Sequence, residues 1–181
     1  MPAKANFDEA VSLLFGGTAA LYFLSKANPV QGQSILIYGA SGAVGTSAVQ
    51  VARNLGLAIT AVSSGKNEEL IRSLGADTFL DYTSADFWAK TGKYDIVFDA
   101  VGKLSKKHLL ELTQKEGKSL TVGGLDVAKE TKQQLELLKT WFDSGELKAV
   151  IDRTYSMDEI QEAHSYAEKG HKVGNVVIKI K

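Results

Sequence analysis

The stretch Ser34-Ile35-Leu36-Ile37-Tyr38-Gly39-Ala40-Ser41-Gly42-Ala43-Val44-Gly45-Thr46-Ser47-Ala48-Val49-Gln50-Val51-Ala52 decides how the rest of the chain is read. It opens on a short apolar run, too short for a helix and suited to a buried parallel strand. Gly39, Gly42 and Gly45 follow at intervals of three, and Val44, Ala48, Val51 and Leu55 then share one face at helical spacing. A strand, a glycine turn and a helix opening on that turn together predict a phosphate cradle. Gly42 lets the backbone approach a pyrophosphate, and Gly45 lets the helix pack closely on the strand. The amides and the positive dipole end of the helix face the anion. The pattern departs from G-x-G-x-x-G at its first position, where Ala40 stands. A methyl group there requires the turn to keep φ negative. Glycine turns of this kind also serve as plain connections; the flanking strand and helix favour dinucleotide binding.

Composition narrows the classes. A chain of 181 residues, 44% hydrophobic and 23% charged, suits one globular domain with a sizeable core. Lys+Arg and Asp+Glu both number 21, so no basic field is available for nucleic acid or an anionic membrane surface. No apolar run is expected to reach the length of a membrane span, and no signal-peptide core is expected near Met1. The absence of cysteine excludes disulfides, thiolate catalysis and Cys-ligated zinc within this chain. The expectation is a soluble, cytoplasmic single domain with neither a nucleic-acid nor a membrane partner.

Taken in order, Asn6 caps a first helix from Phe7, with Glu9 in its first turn. Gly16-Gly17 is expected to interrupt it, and Thr18 to cap a continuation that ends before Pro29. Ala58 to Val62 reads as a second strand, Asn67 to Leu74 as a helix, Thr78 to Leu80 as a short strand and Ala85 to Ala89 as a brief helix. Tyr94 to Asp99 is a strong strand, followed by helix Leu104 to Leu112 and strand Ser119 to Val122. This alternation predicts an α/β, Rossmann-type three-layer domain with a mostly parallel, doubly wound sheet. Beyond Gly124 the rhythm changes, to a helix from Thr131 to Asp143 closed by Gly145 and a strand from Val150 to Tyr155. A capping box at Ser156 and Glu159 opens a further helix, and the last strand is Asn175 to Ile180. The two last strands have no place in a five-stranded wound sheet, and are expected to pair with each other or across a homodimer interface.

Several pieces now combine: Tyr38-Gly39-Ala40-Ser41-Gly42-Ala43-Val44-Gly45, Leu74-Gly75-Ala76-Asp77, Asp81-Tyr82, Phe98-Asp99-Ala100-Val101-Gly102, and the tail from Val150 through Ile180. In this combination the chain resembles the medium-chain dehydrogenases/reductases, and within them the quinone oxidoreductases and alcohol-dehydrogenase-like proteins. The resemblance implies that residues 1–181 are a single cofactor domain. Residues 1–30 would form the helix that joins it to a GroES-like catalytic barrel, and residues 150–181 would contact that barrel. The chain departs from the pattern after Gly124, where the family usually has a further helix and a sixth strand. That strand often forms the family's dimer seam, so the dimer is not assumed here.

The cofactor-binding candidates are Ala40, Ser41, Gly42, Ala43, Val44 and Gly45 in the turn, with Ser64 and Lys66 after the second strand. An NAD site usually presents a carboxylate about 20 residues beyond the turn, and that strand here ends in Ser63-Ser64-Gly65-Lys66-Asn67. A hydroxyl and an ammonium suit a 2′-phosphate, which points to NADP(H), although an ordinary polar turn would look the same. The resemblance adds Tyr82 beside the adenosine phosphate. Ala100, Val101, Gly102, Val122 and Gly123 lie at strand ends, where they either line the nicotinamide half or are plain exits. Thr18 is a weaker candidate for the same pocket.

No catalytic residue and no metal site is identified. His108, His164 and His171 show no ligand spacing; His164 is expected at a core margin and His171 in solvent. Tyr22 and Lys26 have the Tyr-x-x-x-Lys spacing of short-chain dehydrogenases, but they precede the glycine turn and are read as helix surface. The sequence therefore reads as an NADPH-binding domain, transferring hydride to a quinone, enal or activated carbonyl when joined to a substrate domain. A non-catalytic NADPH-binding sensor or partner-binding module is the alternative. A methyltransferase using S-adenosylmethionine would want an acid after the second strand, where Ser63-Ser64 stands.

Overall fold

The computed structural model describes residues 2–180. Five parallel strands form one sheet: β1 (Ser34–Tyr38), β2 (Ala58–Ser63), β3 (Thr78–Asp81), β4 (Tyr94–Asp99) and β5 (Thr113–Thr121), in the order β3-β2-β1-β4-β5. The order reverses at β1, so its carboxyl end opens onto the switch-point crevice of a doubly wound sheet. Ile35, Leu36 and Ile37 are fully buried because both faces of β1 are covered. The two-residue period then sorts the core. Ile35, Ile37, Ile59, Ile96 and Phe98 face one cluster, while Leu36, Val62, Val97 and Leu80 face a smaller one.

The larger cluster packs under α1 (Phe7–Lys26), α2 (Ala43–Asn54), α3 (Glu68–Ser73) and, through Leu138, α6 (Lys132–Ser144). The smaller one lies under α4 (Phe87–Lys90) and α5 (Lys106–Leu112). The three-layer expectation holds.

In α1 the sequence reading needs correction. Asn6 and Glu9 form the capping box, but the helix runs unbroken through Gly16-Gly17. These glycines are sites of close approach. A Cβ on Gly16 would stand 2.4 Å from the Ala43 carbonyl oxygen of α2, and one on Gly17 would stand 2.9 Å from Leu138 of α6. Thr18 caps nothing; its hydroxyl donates back to the Leu14 carbonyl at 2.6 Å. The unbroken helix also corrects the expectation about span length. With 20 residues and a mean hydropathy of 1.3 in its best window, α1 is long and apolar enough to cross a membrane. Some 56% of that window is buried inside the fold, which accounts for its apolar character.

The α2 helix is buried almost all round, from Val44 to Ala52, because α1 covers the side turned away from the sheet. Its polar residues are satisfied internally. Gln50 donates to the Thr46 and Lys148 carbonyls at 3.1 and 3.0 Å and accepts from the Lys148 amide at 2.7 Å. Gln50→Leu strands both Lys148 groups. It is expected to cost about 2 kcal/mol, read as a lower urea midpoint at unchanged m-value.

Strand β5 begins at Thr113, well before the expected Ser119, after a register shift between Tyr94 and Ile96. Gln114, Lys115, Glu116 and Lys118 are exposed on this edge strand, so it lacks the apolar signature of its neighbours. At the end of the chain β6 (Ile151–Ser156) and β7 (Asn175–Lys179) pair in parallel with each other, the first of the two expected outcomes. Between them lies α7 (Ile160–Glu168), preceded by the Ser156–Glu159 capping box. His164 is exposed on α7 and not at a core margin; Ala163 takes the inward position.

Candidate cofactor site

The three glycines of the turn have three different reasons to be there. Gly39 has φ +79°, a left-handed conformation that costs a side chain strain. A Cβ on Gly45 would stand 2.1 Å from the Gly39 carbonyl oxygen, so helix-on-turn packing requires its absence. Gly42 has ordinary dihedrals, φ −77° and ψ 176°, and a Cβ there would meet only the Gly39 oxygen at 3.6 Å. Neither backbone nor packing asks for glycine at position 42. Ala40 is fully buried without a positive φ, which meets the condition set by its methyl group.

The mouth of α2 has no side-chain cap and no acidic residue in its first turn. The first amide to bond inside the helix is that of Thr46, to the Gly42 carbonyl at 2.9 Å. The amides of Ala43, Val44 and Gly45 precede it, at the positive end of the helix dipole.

Around this mouth the strand ends make a cleft lined by Tyr38, Gly39, Ser41, Gly42, Ser63, Tyr82, Val101, Lys103, Gly170 and Lys172. Burial pushes the Tyr38 phenol pKa up, with Tyr82 and Asp99 adding to the effect. The Tyr38 and Tyr82 rings lie 6.2 Å apart. Beyond β2 the chain makes a 3-10 turn, Gly65–Asn67, pinned by the Asn67 side chain to the Ser63 and Ser64 hydroxyls at 2.9 and 3.1 Å. Ser64 precedes this turn and the exposed Lys66 stands on it; neither lines the cleft. Asp81 reaches the same turn from β3, its carboxylate 2.6 Å from where a Gly65 Cβ would lie. Hydrogen bonds from the Thr83 hydroxyl and amide hold the Asp81 pKa below its ordinary value. Linear order alone did not show that this acid is near.

At the end of β4 the fully buried Asp99 accepts from the amides of Val101, Gly102 and Leu104 at 3.2, 2.9 and 2.8 Å, and from the Thr121 hydroxyl at 3.3 Å. It shapes the turn that places Val101 over Gly39. Gly102 packs on Gly123, where a Cβ on either would stand 2.7 Å from the other's Cα. Of the candidates, Ser41, Gly42, Tyr82 and Val101 thus meet in the cleft, and Ala43, Val44 and Gly45 form the adjoining helix mouth. Ala40 and Ala100 are buried, and Gly102, Val122 and Gly123 lie outside the cleft lining.

Six of the cleft residues were not among the candidates: Tyr38, Gly39, Ser63, Lys103, Gly170 and Lys172. Lys103 directly follows the Ala100–Gly102 candidates, and Lys172 lies on a segment that no motif tied to the turn. Thr18 is buried and bonded within its own helix, at 3.4 Å from Glu130. Tyr22 and Lys26 are more than helix surface: both bond the Asp126 carboxylate, tying the loop after β5 to α1. These bonds hold the Asp126 pKa down and the Lys26 pKa up.

A doubly wound sheet with an uncapped helix mouth at its switch point defines a dinucleotide-binding domain. A family model described as zinc-binding dehydrogenase matches residues 43–169, and the chain belongs to that family, within the medium-chain dehydrogenases/reductases. The family uses a nicotinamide dinucleotide. Among its relatives, the 2-methylene-furan-3-one reductase of Solanum lycopersicum is 35% identical over 98% of this chain and 48% of its own length. The chloroplastic NADPH-dependent alkenal/one oxidoreductase of Arabidopsis thaliana is 30% identical over the same shares, 98% and 48%. The quinone oxidoreductase of Coxiella burnetii shares the fold, with a TM-score of 0.84 at 24% identity over 99% of this chain and 62% of that one. The chain spans about half the length of the curated relatives it matches. Their names include chloroplastic and mitochondrial proteins, so the family does not fix a compartment.

Zinc finds no fit in this chain. It has no cysteine, and among the described residues no three His, Asp or Glu side chains are grouped to hold a metal.

Proposed function

We propose that this chain binds NADPH and supplies the cofactor half of an oxidoreductase that reduces a quinone, enal or other activated carbonyl. The observation that carries this reading is Gly42. The fold leaves room for a side chain there, and a diphosphate lying against the amides of Ala43, Val44 and Gly45 accounts for the missing Cβ. The bound cofactor supplies the hydride. The chain's own residues bind and orient it: the helix mouth holds the diphosphate, Tyr82 flanks the adenosine half, and the strand-end turns at Val101, Gly102 and Gly123 face the nicotinamide half.

Ser64 and Lys66 support NADPH over NADH, with Asp81 already committed to Thr83. Lys66→Ala is expected to weaken NADPH binding about tenfold and leave NADH unchanged in calorimetric titration. Equal or tighter binding of NADH by the unaltered chain contradicts the preference.

A substrate domain has a face to pack against. On α1, Phe7 and Phe15 are 81% and 69% exposed, with Val11 between them, and this stripe continues past Asn6 to Ile178 and Ile180 on the β7 side. The non-catalytic alternative is separated by a turnover assay. NADPH oxidation by this chain with enones or quinones removes it.

A further inference from the structure

The loop Gly170 to Gly174, between α7 and β7, crosses the glycine turn. The Gly174 amide donates to the Ser41 carbonyl at 2.7 Å, and Gly174 makes an isolated parallel bridge with Gly42. Gly174 itself takes no side chain, for a reason on its other side: it has φ +63°, and a Cβ would stand 2.3 Å from the Val150 carbonyl oxygen. The contacts with Ser41 and Gly42 fix the loop against the cleft, and Lys172 becomes part of its wall.

Lys172 is half-buried, and its ammonium donates to the Gly174 carbonyl at 2.7 Å. The acid that influences it, Asp152, already accepts from the Tyr166 hydroxyl at 2.6 Å and the Val173 amide at 3.0 Å. Among the described residues, Lys172 belongs to no ion pair. Burial pushes its pKa down, and the charge of Asp152 offsets this only in part. Lys103 enters the same cleft from the turn after β4. Two lysines therefore line one cleft together with Gly42, the residue from which α2 opens, and the chemistry that answers such a lining is a phosphate.

We propose that Lys172 grips a phosphate of the adenosine half of the dinucleotide, which makes the β6–α7–β7 segment a working part of the cofactor site. This rests on the NADPH reading above. That half offers two phosphates, the diphosphate bridge and the 2′-phosphate, and titration with two cofactors distinguishes them.

The test is calorimetric titration of NADPH and NADH into the unaltered chain and into Lys172→Gln, Lys172→Met and Lys172→Arg. Each variant is first checked for unchanged thermal unfolding without ligand; the methionine variant keeps the buried stem if glutamine disturbs it. Loss of the charge is expected to weaken NADPH binding about tenfold, with arginine retaining most of the affinity. An equal loss for NADH assigns the diphosphate, and a loss confined to NADPH assigns the 2′-phosphate. The neutral variants should also show a shallower dependence of affinity on salt, which a purely structural role for Lys172 would not produce. Unchanged NADPH affinity, or an unchanged salt dependence, overturns the proposal and leaves the NADPH reading standing. Failure of the unaltered chain to bind either cofactor overturns that reading instead.

Discussion

Gly42→Ala is expected to fold normally and to lose NADPH binding by a factor of about 100 or more. The added methyl group meets only the Gly39 oxygen, at ordinary contact distance, and φ −77° suits alanine. The cost to stability is that of a poorer helix N-cap, about 0.5–1 kcal/mol. On the ligand side the methyl group would stand where the diphosphate must come within hydrogen-bond reach of the α2 amides. Losing two charge-assisted bonds of about 1.5–3 kcal/mol each accounts for the hundredfold change. Urea unfolding and calorimetric titration on the same preparation check both halves. Tight binding by this variant contradicts the site.

Gly45→Ala is expected to do the reverse, and to damage the fold itself. Its Cβ would stand 2.1 Å from the Gly39 oxygen and 2.7 Å from the Ala40 carbonyl carbon and Cα, all backbone atoms that no rotamer change can move. The α2 helix would have to lift from β1, against Ala48, Val51 and Ala52, which are fully buried. Forced overpacking of this kind costs about 3 kcal/mol or more, a large share of a domain's stability. The check is a thermal or urea melt of the ligand-free chain. Two glycines three residues apart thus separate a requirement of the fold from a requirement of the ligand.

The β1–turn–α2 unit was legible because every level agreed: an apolar strand, glycines at the required spacing, then a helical face. The parallel sense of the strands followed from their alternation with helices. What stayed hidden had a physical cause in each instance. Gly16-Gly17 reads as a break by local propensity, but α1 gains more from close crossing with α2 and α6 than it loses in chain entropy. The early half of β5 is polar because it is an edge, so periodicity could not find it. Asp99 looks like the last residue of a strand, and its role emerges only when three amides of the following turn close on it. Lys172 was beyond any local pattern, since its place depends on a parallel β6–β7 pair folding back over the turn. The one available hint was the Gly170 and Gly174 pair that brackets it.

The most direct test of the central claim follows the amide resonances of the isotopically labelled chain during titration with NADPH. The largest and saturable shifts are expected on Ala43, Val44 and Gly45, the three amides at the mouth of α2. Shifts that saturate elsewhere while these three stay still would contradict it.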